Sequence, residues 1–425
     1  MPENPCRPPD AALARELEVW RSSDPGPDAD GRALAHLLTR RIRRVGRHAL
    51  PAPLLDVLAE IARRHRGRDP FLDDFLDAVL ARHHDRFHNA SYLALPLLAR
   101  ILDDPETGLD PEHLSALLLA DVVRHERRHP EGTDPAVGRK RVRQAARFVS
   151  AVDDGLADDV APPATRAGEW LGLSVLPVST EHDEYFFIRS LQAHELVFTT
   201  LTALLRSATA AVRAGRPGDA TAVMVRASTV FERASLLFRL VATLRAVSFH
   251  AFREHTDGAS AIQSEAYKRF ELACGEPSRA RLDSEAFAGV PAVRAEADGH
   301  DSLARAVADR PGHPPGRLAA AVADLEAAHQ RWKTTHHSLA ARMLGDAPGS
   351  GYTAGVPYLA ACRAHRLVGT RDLRRLTGGS SMPAAREGAD AGVRPPAAAA
   401  SATEHRPRRP AWGPGRSGSD RGCPR

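Results

Sequence analysis

The stretch WKTTHHSLAARMLGDAPGSGYTAGVPYL, residues 332–359, carries the clearest structural signal in the chain. Together with the residues before it, this stretch repeats apolar side chains and histidines at the three- and four-residue spacing of one helix face. That face comprises Leu318, Val322, Leu325, His329, Trp332, His336, Leu339 and Met343. Gly345 follows, and glycine readily adopts the left-handed backbone that ends a helix. The pattern predicts a helix over 316–344 with one apolar face.

Two adjacent histidines differ in their place on this helix. His336 lies in the middle of the apolar face, whereas His337 is rotated by about 100° toward the polar side. A single histidine on an apolar face is usually a core side chain with a hydrogen-bond partner. The glycine-rich turn at 349–351 favours a binding role, because it brings flexible backbone and the Ser350 hydroxyl close to the helix end. His336 is therefore the candidate ligand of the two.

Helical spacing extends over most of the chain, and alternating strand patterns are nearly absent. The long helices are predicted at 183–213, 219–254 and 316–344. Asp69 and Asp110 each precede a proline, an arrangement typical of a helix start because proline needs no N–H partner there. The sequence predicts an all-α protein.

Composition divides the 425 residues into five parts. After residue 377 the chain has few large apolar side chains, so it cannot bury enough surface to offset its ordering entropy. The predicted parts are a disordered N-terminus (1–10), an unassigned helical domain (11–157), a Pro-rich linker (158–165), a second helical domain (166–377) and a disordered tail (378–425).

Charge and cysteine usage exclude several classes of protein. The formal net charge of +5 is modest for this length, so we expect no nucleic-acid partner. Apolar runs stay well below the roughly 18 residues of a membrane span, and the first residues lack a signal-peptide pattern. The four cysteines show no CxxC pair, which favours a reducing compartment over a disulfide framework. We expect a cytoplasmic protein without a membrane partner.

A formal HExxH motif spans residues 125–129. On a helix this motif can bind zinc through two histidines, with the glutamate as base. Here Pro130 follows at once, two arginines fill the middle positions, and a third ligand is not evident. We interpret the motif as a basic helix terminus.

The stretch around His336 resembles the tryptophan 2,3-dioxygenase family, within the haem-dependent dioxygenase superfamily. That family carries W-R-x-x-H, then R-M-I/L-G, then G-T-G-G-S-S-G-x-x-Y-L. This chain matches it, without a gap, at Trp332, His336, Arg342, Met343, Leu344, Gly345, Gly349, Ser350, Gly351, Gly355, Tyr358 and Leu359. The match departs at Tyr352 and Thr353, where the family has Gly and Ser.

Two earlier segments resemble the same family in the same order. Residues 183–196, DEYFFIRSLQAHEL, are similar to its D-E-x-x-F-I…H-Q-A-x-E-L-W. Residues 249–253, FHAFR, and 259–264, ASAIQS, are similar to its F-x-x-F-R and A-S-G-F-Q-S. The resemblance covers about half of the chain.

The resemblance implies a haem b cofactor with His336 as the proximal ligand of the iron. It also implies that Phe187 and Phe249 line the substrate site, and that Arg253 binds the amino-acid carboxylate. A guanidinium suits that role because its rigid fork gives a carboxylate two parallel hydrogen bonds. The family's threonine that contacts the substrate ammonium group corresponds to Ser350.

The chain departs from the family at functionally important positions. The family's distal histidine is Leu191 here, so no residue is certain as a catalytic group. His194, one turn later, is a possible substitute, although a contact with a helix neighbour is the more common role of such a histidine. Upstream, a family tyrosine that reaches into a neighbouring subunit becomes Trp170. By this resemblance we count Trp170 as substrate-binding and expect a homo-oligomer, a dimer or tetramer.

The implied activity is the haem-dependent oxidation of L-tryptophan or a related aromatic amino acid by dioxygen. The expected reaction is insertion across the indole 2,3-bond to give N-formylkynurenine. Two alternatives remain open. One is a haem monooxygenase or hydroxylase of an aromatic amino acid in specialised metabolism, and the other is a non-catalytic haem- or partner-binding protein with the N-terminal helices as its interaction module. An apolar pocket discriminates poorly between substrates, so the reaction class is better determined than the substrate.

Overall fold

A computed structural model describes residues 11–22, 30–82, 86–153, 165–256, 263–310, 316–345 and 355–368. Within these ranges the structure is helical, and its only β-type pairing is an isolated bridge between Phe87 and Thr256. The prediction of an all-α fold is confirmed. The predicted disordered ends, Ser350 and residues 158–164 of the predicted linker lie outside the described residues.

The first helices of the chain are α1 (Ala11–Arg21), α2 (Gly31–Val45), α3 (Ala52–Arg64), α4 (Pro70–Leu80), α5 (Asn89–Tyr92), α6 (Leu95–Asp103), α7 (Pro111–Arg128), α8 (Pro135–Val152), α9 (Arg166–Leu173) and α10 (His182–Arg213). The later helices are α11 (Pro217–Val241), α12 (Ala246–Arg253), α13 (Glu265–Cys274), α14 (Arg279–Leu282), α15 (Glu285–Ala288), α16 (Pro291–Glu296), α17 (Leu303–Ala308), α18 (Gly316–Leu344) and α19 (Val356–Cys362). A short 3-10 turn, Pro130–Gly132, joins α7 and α8.

Local signals placed several helix ends correctly. The Asp69 carboxylate accepts hydrogen bonds from the first N–H groups of α4, and the Asp110 carboxylate accepts one at the start of α7. Gly345 has a φ of 55° directly after α18, the left-handed geometry expected of a C-terminal cap.

The single helix predicted over 219–254 is two helices. α11 and α12 meet at an angle of 100°. At the break, Arg141 donates to the side-chain and backbone oxygens of Thr243, and the Arg245 N–H donates to the Asp183 carboxylate. Because these partners satisfy polar groups that a continuous helix would satisfy itself, the break is stable.

The core is one continuous cluster of apolar side chains that runs from Leu13 to Val368. α10 lies at its centre and packs against α7, α11 and α13, while α18 packs against α11. Taken singly, α10 is the one described helix that is long and apolar enough to cross a membrane, but 67% of its most apolar window is buried inside the protein. Such burial is typical of a core helix.

A network of buried charges joins α8, α10 and the break after α11. Arg141 and Asp183 are fully buried, with a nitrogen–oxygen distance of 2.7 Å. Arg141 also lies 3.3 Å from Glu126, and Arg245 donates to Asp183 over 3.0 Å. Burial alone would raise the pKa of Asp183, but Arg245 and Arg141 hold it below its usual value. The network ties the helices of the first 153 residues to α10.

We predict that Arg141→Met lowers the free energy of unfolding by about 3 kcal/mol or more, because it leaves buried carboxylates without a partner. The control is Arg139→Met, which removes an exposed arginine from the same helix and should change stability by less than about 0.5 kcal/mol. Urea unfolding followed by circular dichroism measures both. Equal midpoints for the two variants would contradict the assignment.

Candidate functional site

A cavity of about 220 Å³ lies between α10, α12, α13, α18 and α19. α10 contributes Phe187, Leu191 and Glu195 at intervals of four residues, so one face of this helix forms a wall. α18 contributes a second wall that includes His336. The N-terminal helical region, residues 11–153, also reaches the cavity, through Asn89 and Leu93. Parts of the chain that are far apart in sequence therefore build one site.

His336 is half-buried and faces two aromatic rings. Its ring stacks on Phe238 with centroids 5.4 Å apart, and Trp332 lies at 5.6 Å. Burial, together with the neighbouring His337, lowers the pKa of His336 to about 4. Among the described residues, neither ring nitrogen of His336 has a hydrogen-bond partner. His337, by contrast, does not line the cavity. His336 is thus a neutral imidazole that is free to bind a metal centre.

Aromatic and aliphatic side chains make up much of the cavity lining. Phe187 contacts Phe249 edge to face at 5.8 Å and Phe252 at 5.2 Å. Leu191 lies one helical turn after Phe187 and also lines the cavity. A flat aromatic ligand can pack against these side chains, but Leu191 offers it no hydrogen bond.

Arg253 brings a positive charge to the cavity at the end of α12. Its guanidinium carbon lies 5.7 Å from the centre of the Phe249 ring. Burial lowers the pKa of Arg253 below the usual arginine value, and Arg86 adds to this effect. An arginine remains charged at any physiological pH, so this side chain can hold a carboxylate beside an aromatic ring.

One ring nitrogen of His194 forms a hydrogen bond, and the other has no partner among the described residues. Its Nδ1 lies 2.9 Å from the carbonyl oxygen of Ser190, which identifies Nδ1 as the donor and Nε2 as an acceptor. Nε2 is buried and has no hydrogen-bond partner among the described residues. The ring packs 5.1 Å from Phe238 and 6.3 Å from Trp332, and burial lowers its pKa to about 4. His194 is therefore a neutral acceptor on the cavity wall.

Trp170 lies outside this cavity. Its ring stacks on Phe71 of α4 with centroids 5.3 Å apart, and it is 8% exposed. Leu171 is 2% exposed. Since the chain itself buries both side chains, they leave little apolar surface for a second subunit to cover. The expectation of an oligomer stays a prediction.

The side chains of His125 and Glu126 in the HExxH motif contact other residues of the protein. His125 stacks on Tyr185 with centroids 3.7 Å apart, and Glu126 accepts from Arg141 and lies 3.3 Å from His182. In the described part of the chain, no group of three or more His, Cys, Asp or Glu side chains is placed to hold a metal ion.

Sequence reasoning missed the polar groups at the cavity. Glu195 accepts from Asn89 and Ser264, and all three line the cavity. A further cluster is formed where Lys268 and Arg281 both bind Glu271. Glu195 is part of the segment 183–196 that resembles the family, but that resemblance assigned it no role. No local sequence pattern indicated that Asn89, 106 residues away in sequence, lies beside it.

Relatives of this chain are tryptophan 2,3-dioxygenases. The enzyme of Polaromonas sp. strain JS666 is 27% identical over 237 residues, which cover 45% of this chain and 81% of that enzyme. The enzyme of Anaeromyxobacter dehalogenans strain 2CP-C is 28% identical over 233 residues, 45% of this chain and 88% of that enzyme. The enzyme of Pseudomonas aeruginosa strain UCBPP-PA14 is 25% identical over 223 residues, 43% and 77% of the two chains.

No protein-family model matches the chain. The similarity to these enzymes nevertheless extends over most of their length. The chain is a divergent relative of the tryptophan 2,3-dioxygenases.

Proposed function

We propose that this protein is a haem-dependent oxidoreductase that oxidises L-tryptophan or a closely related aromatic amino acid, with N-formylkynurenine as the expected product. The observation that carries the proposal is His336, a neutral imidazole without a hydrogen-bond partner among the described residues, on the wall of a largely apolar cavity. The relationship of the chain to tryptophan 2,3-dioxygenases supports the same activity.

The residues of the cavity fit haem b. His336 would hold the iron, because an imidazole ligand must be unprotonated and the low pKa of His336 keeps it so. Phe238, Val241, Leu339 and Met343 line the cavity with apolar surface suited to a porphyrin. Once held by His336, haem would supply the oxygen chemistry of the reaction.

The substrate site follows from the remaining walls. Phe187 and Phe249 would hold the aromatic ring, and Arg253 the carboxylate, so that the ring lies in a fixed position during reaction. Such positioning accounts for a large part of the rate in many enzymes. Ser350, which the family resemblance assigns to the ammonium group, lies outside the described residues.

The distal side contains no proton acceptor at position 191. A second acceptor on α10 is Nε2 of His194, which has no hydrogen-bond partner among the described residues. His194 contacts the same two rings as His336, Phe238 and Trp332. Because His194 shares the surroundings of His336, we place it on the side of the proximal ligand. The indole would then meet the apolar side chain of Leu191 on the distal side.

The proposal is tested by reconstituting the purified protein with haem under anaerobic conditions and then adding air with a panel of aromatic amino acids. Mass spectrometry of the products should show addition of two oxygen atoms and opening of the indole ring. Products with a single added oxygen would instead identify a monooxygenase. A haem absorption band without substrate-dependent oxygen uptake would identify a non-catalytic haem protein.

We predict that His336→Ala loses most of its bound haem and shifts the Soret maximum, because it removes the only strong iron ligand on that wall. His337→Ala is the matched control, since it changes the adjacent half-buried histidine that does not line the cavity. Haem content and the Soret spectrum measure both variants. Equal haem retention would refute the assignment of His336.

We predict that Arg253→Ala weakens binding of L-tryptophan by about 2–5 kcal/mol, because the ligand carboxylate then enters the cavity without a partner. Haem content should not change. Arg253→Lys should restore only part of the affinity, since an ammonium cannot replace the guanidinium fork. The control is Arg239→Ala, an exposed arginine of α11. Unchanged affinity in Arg253→Ala would show that this arginine does not contact the carboxylate.

A last prediction concerns Leu191. With leucine at position 191, the indole N–H gains no hydrogen bond from that side chain, so an N-methyl group beside it costs only the space it needs. We predict that 1-methyltryptophan is turned over within roughly tenfold of tryptophan, about 1.4 kcal/mol in barrier. Leu191→His should shift the preference toward the unmethylated indole.

The ratio of kcat/KM for the two substrates in the parent, Leu191→His and His194→Ala proteins measures this effect. A strong parental preference for the free N–H that disappears in His194→Ala would show that His194 acts as the acceptor, and the interpretation of an apolar distal wall would then be wrong.

A further inference from the structure

A second cavity, of about 360 Å³, lies apart from the one around His336. It opens between the end of α2, the end of α7, the loop before α10 and the first turn of α10, and the two cavities share no lining residue. Basic side chains make up much of its lining. They are Arg43, Arg124, Arg128, His125, His129 and His182. The HExxH segment at 125–129 therefore belongs to a cavity that the proposed function does not use.

Basic side chains from three helices meet around the ring of Tyr185. His125 of α7 stacks on this ring with centroids 3.7 Å apart, and the guanidinium carbon of Arg43, on α2, lies 5.5 Å from its centre. The His125 ring also lies 4.9 Å from that of His129 and 5.0 Å from that of His182, at the start of α10. These contacts hold the basic groups close together at one side of the second cavity.

Two of the three arginines at this cavity have no carboxylate partner in the described part of the chain. Arg124 is 9% exposed and lies 3.0 Å from Asp121. Arg128, one helical turn later on the same face of α7, is exposed and has neither an ion pair nor a hydrogen bond among the described residues. Arg43 donates to two backbone carbonyl oxygens. Arg43 and Arg128 are thus able to bind an anion.

The carboxylates that line the second cavity do not neutralise these arginines. Asp121 also accepts two hydrogen bonds from Arg189, which lies outside the lining. Glu181 lies 4.0 Å from an arginine that does not line the cavity either. Glu131 lies 3.6 Å from His129, but its side chain is 74% exposed, and water screens such a charge. Positive charge is therefore in excess here, and a cleft with an excess of one sign attracts ions of the other.

We propose that the second cavity binds a phosphate-bearing small molecule through Arg43, Arg128 and His129. A guanidinium gives a phosphate two parallel hydrogen bonds, and an imidazole can donate a further one. A tetrahedral phosphate offers oxygens in several directions, so it can accept from basic groups on separate elements, whereas one guanidinium fork already satisfies a flat carboxylate. The volume lies in the range of roughly 300–1,000 Å³ that is typical of small-molecule sites, which leaves room for an organic group beside the phosphate. Neither haem nor an amino acid takes part in this site, so its ligand can be tested apart from the proposed function.

Isothermal titration of the full chain with inorganic phosphate, pyrophosphate and citrate, at constant ionic strength, tests this assignment. We expect saturable binding of both phosphates, with pyrophosphate the tighter, because it can contact more of the basic groups at once. Arg128→Gln should weaken pyrophosphate binding by tenfold or more. Arg127→Gln is the matched control, since Arg127 is the adjacent exposed arginine and does not line the cavity, and it should bind within about twofold of the parent. His129→Gln is a second variant, which should also weaken binding.

A ligand that binds only the folded chain raises its melting temperature. A rise with pyrophosphate in the parent and in Arg127→Gln, but not in Arg128→Gln, would therefore support the site. A parent that binds neither phosphate nor pyrophosphate would overturn the proposal. Equal affinities of Arg127→Gln and Arg128→Gln for pyrophosphate would also overturn it, because they would indicate a general attraction to the positive charge of the chain. Binding of citrate without binding of either phosphate would show that the cavity takes carboxylates, and the assignment to phosphate would then be wrong.

Discussion

The rest of the structure depends on the pairing of charged and polar side chains that α10 buries in the core. Their partners come from earlier helices: Arg141 pairs with Asp183, Asp121 with Arg189, and Asn89 with Glu195. Burial alone would raise the pKa of Asp121, but Arg189, Tyr185 and Arg124 bring it down to about 2. Because breaking one buried pair costs several kcal/mol, these contacts hold α10 in a single register against the N-terminal helical region.

That register determines which α10 side chains reach the cavity. Phe187, Leu191 and Glu195 share one helix face, and a rotation of α10 would move all three away together. Asp183 begins the same row one turn before Phe187, whereas Arg189 lies on another face, and both are paired with residues of the earlier helices. The N-terminal helical region therefore influences the site in two ways: it fixes α10, and it contributes side chains to the wall.

Local patterns predicted the parts of this fold that depend on near neighbours. The apolar face of α18 and the aspartate caps of α4 and α7 were readable because their spacing is periodic or their partner lies within three residues. The break between α11 and α12 could not be predicted from local sequence, since it is stabilised by Arg141 and Asp183 from distant helices. The position of Trp170 depends on Phe71, about a hundred residues earlier, and carried no local signal either. Tertiary contacts decided these cases.

Ligand selectivity in this cavity must come from its polar and charged groups. The aromatic wall of Phe187 and Phe249 accepts any flat ring of suitable size, and Leu191 cannot distinguish rings by hydrogen bonding. Lys268 is already paired with Glu271 inside the protein, so it gains little from a ligand. Arg253 differs, because its guanidinium lies beside the Phe249 ring, where it can pair with the carboxylate of an amino acid. A polar group left unpaired by the wrong ligand costs more than a missing apolar contact. We therefore expect selectivity for the charged end of the amino acid to exceed selectivity for its ring.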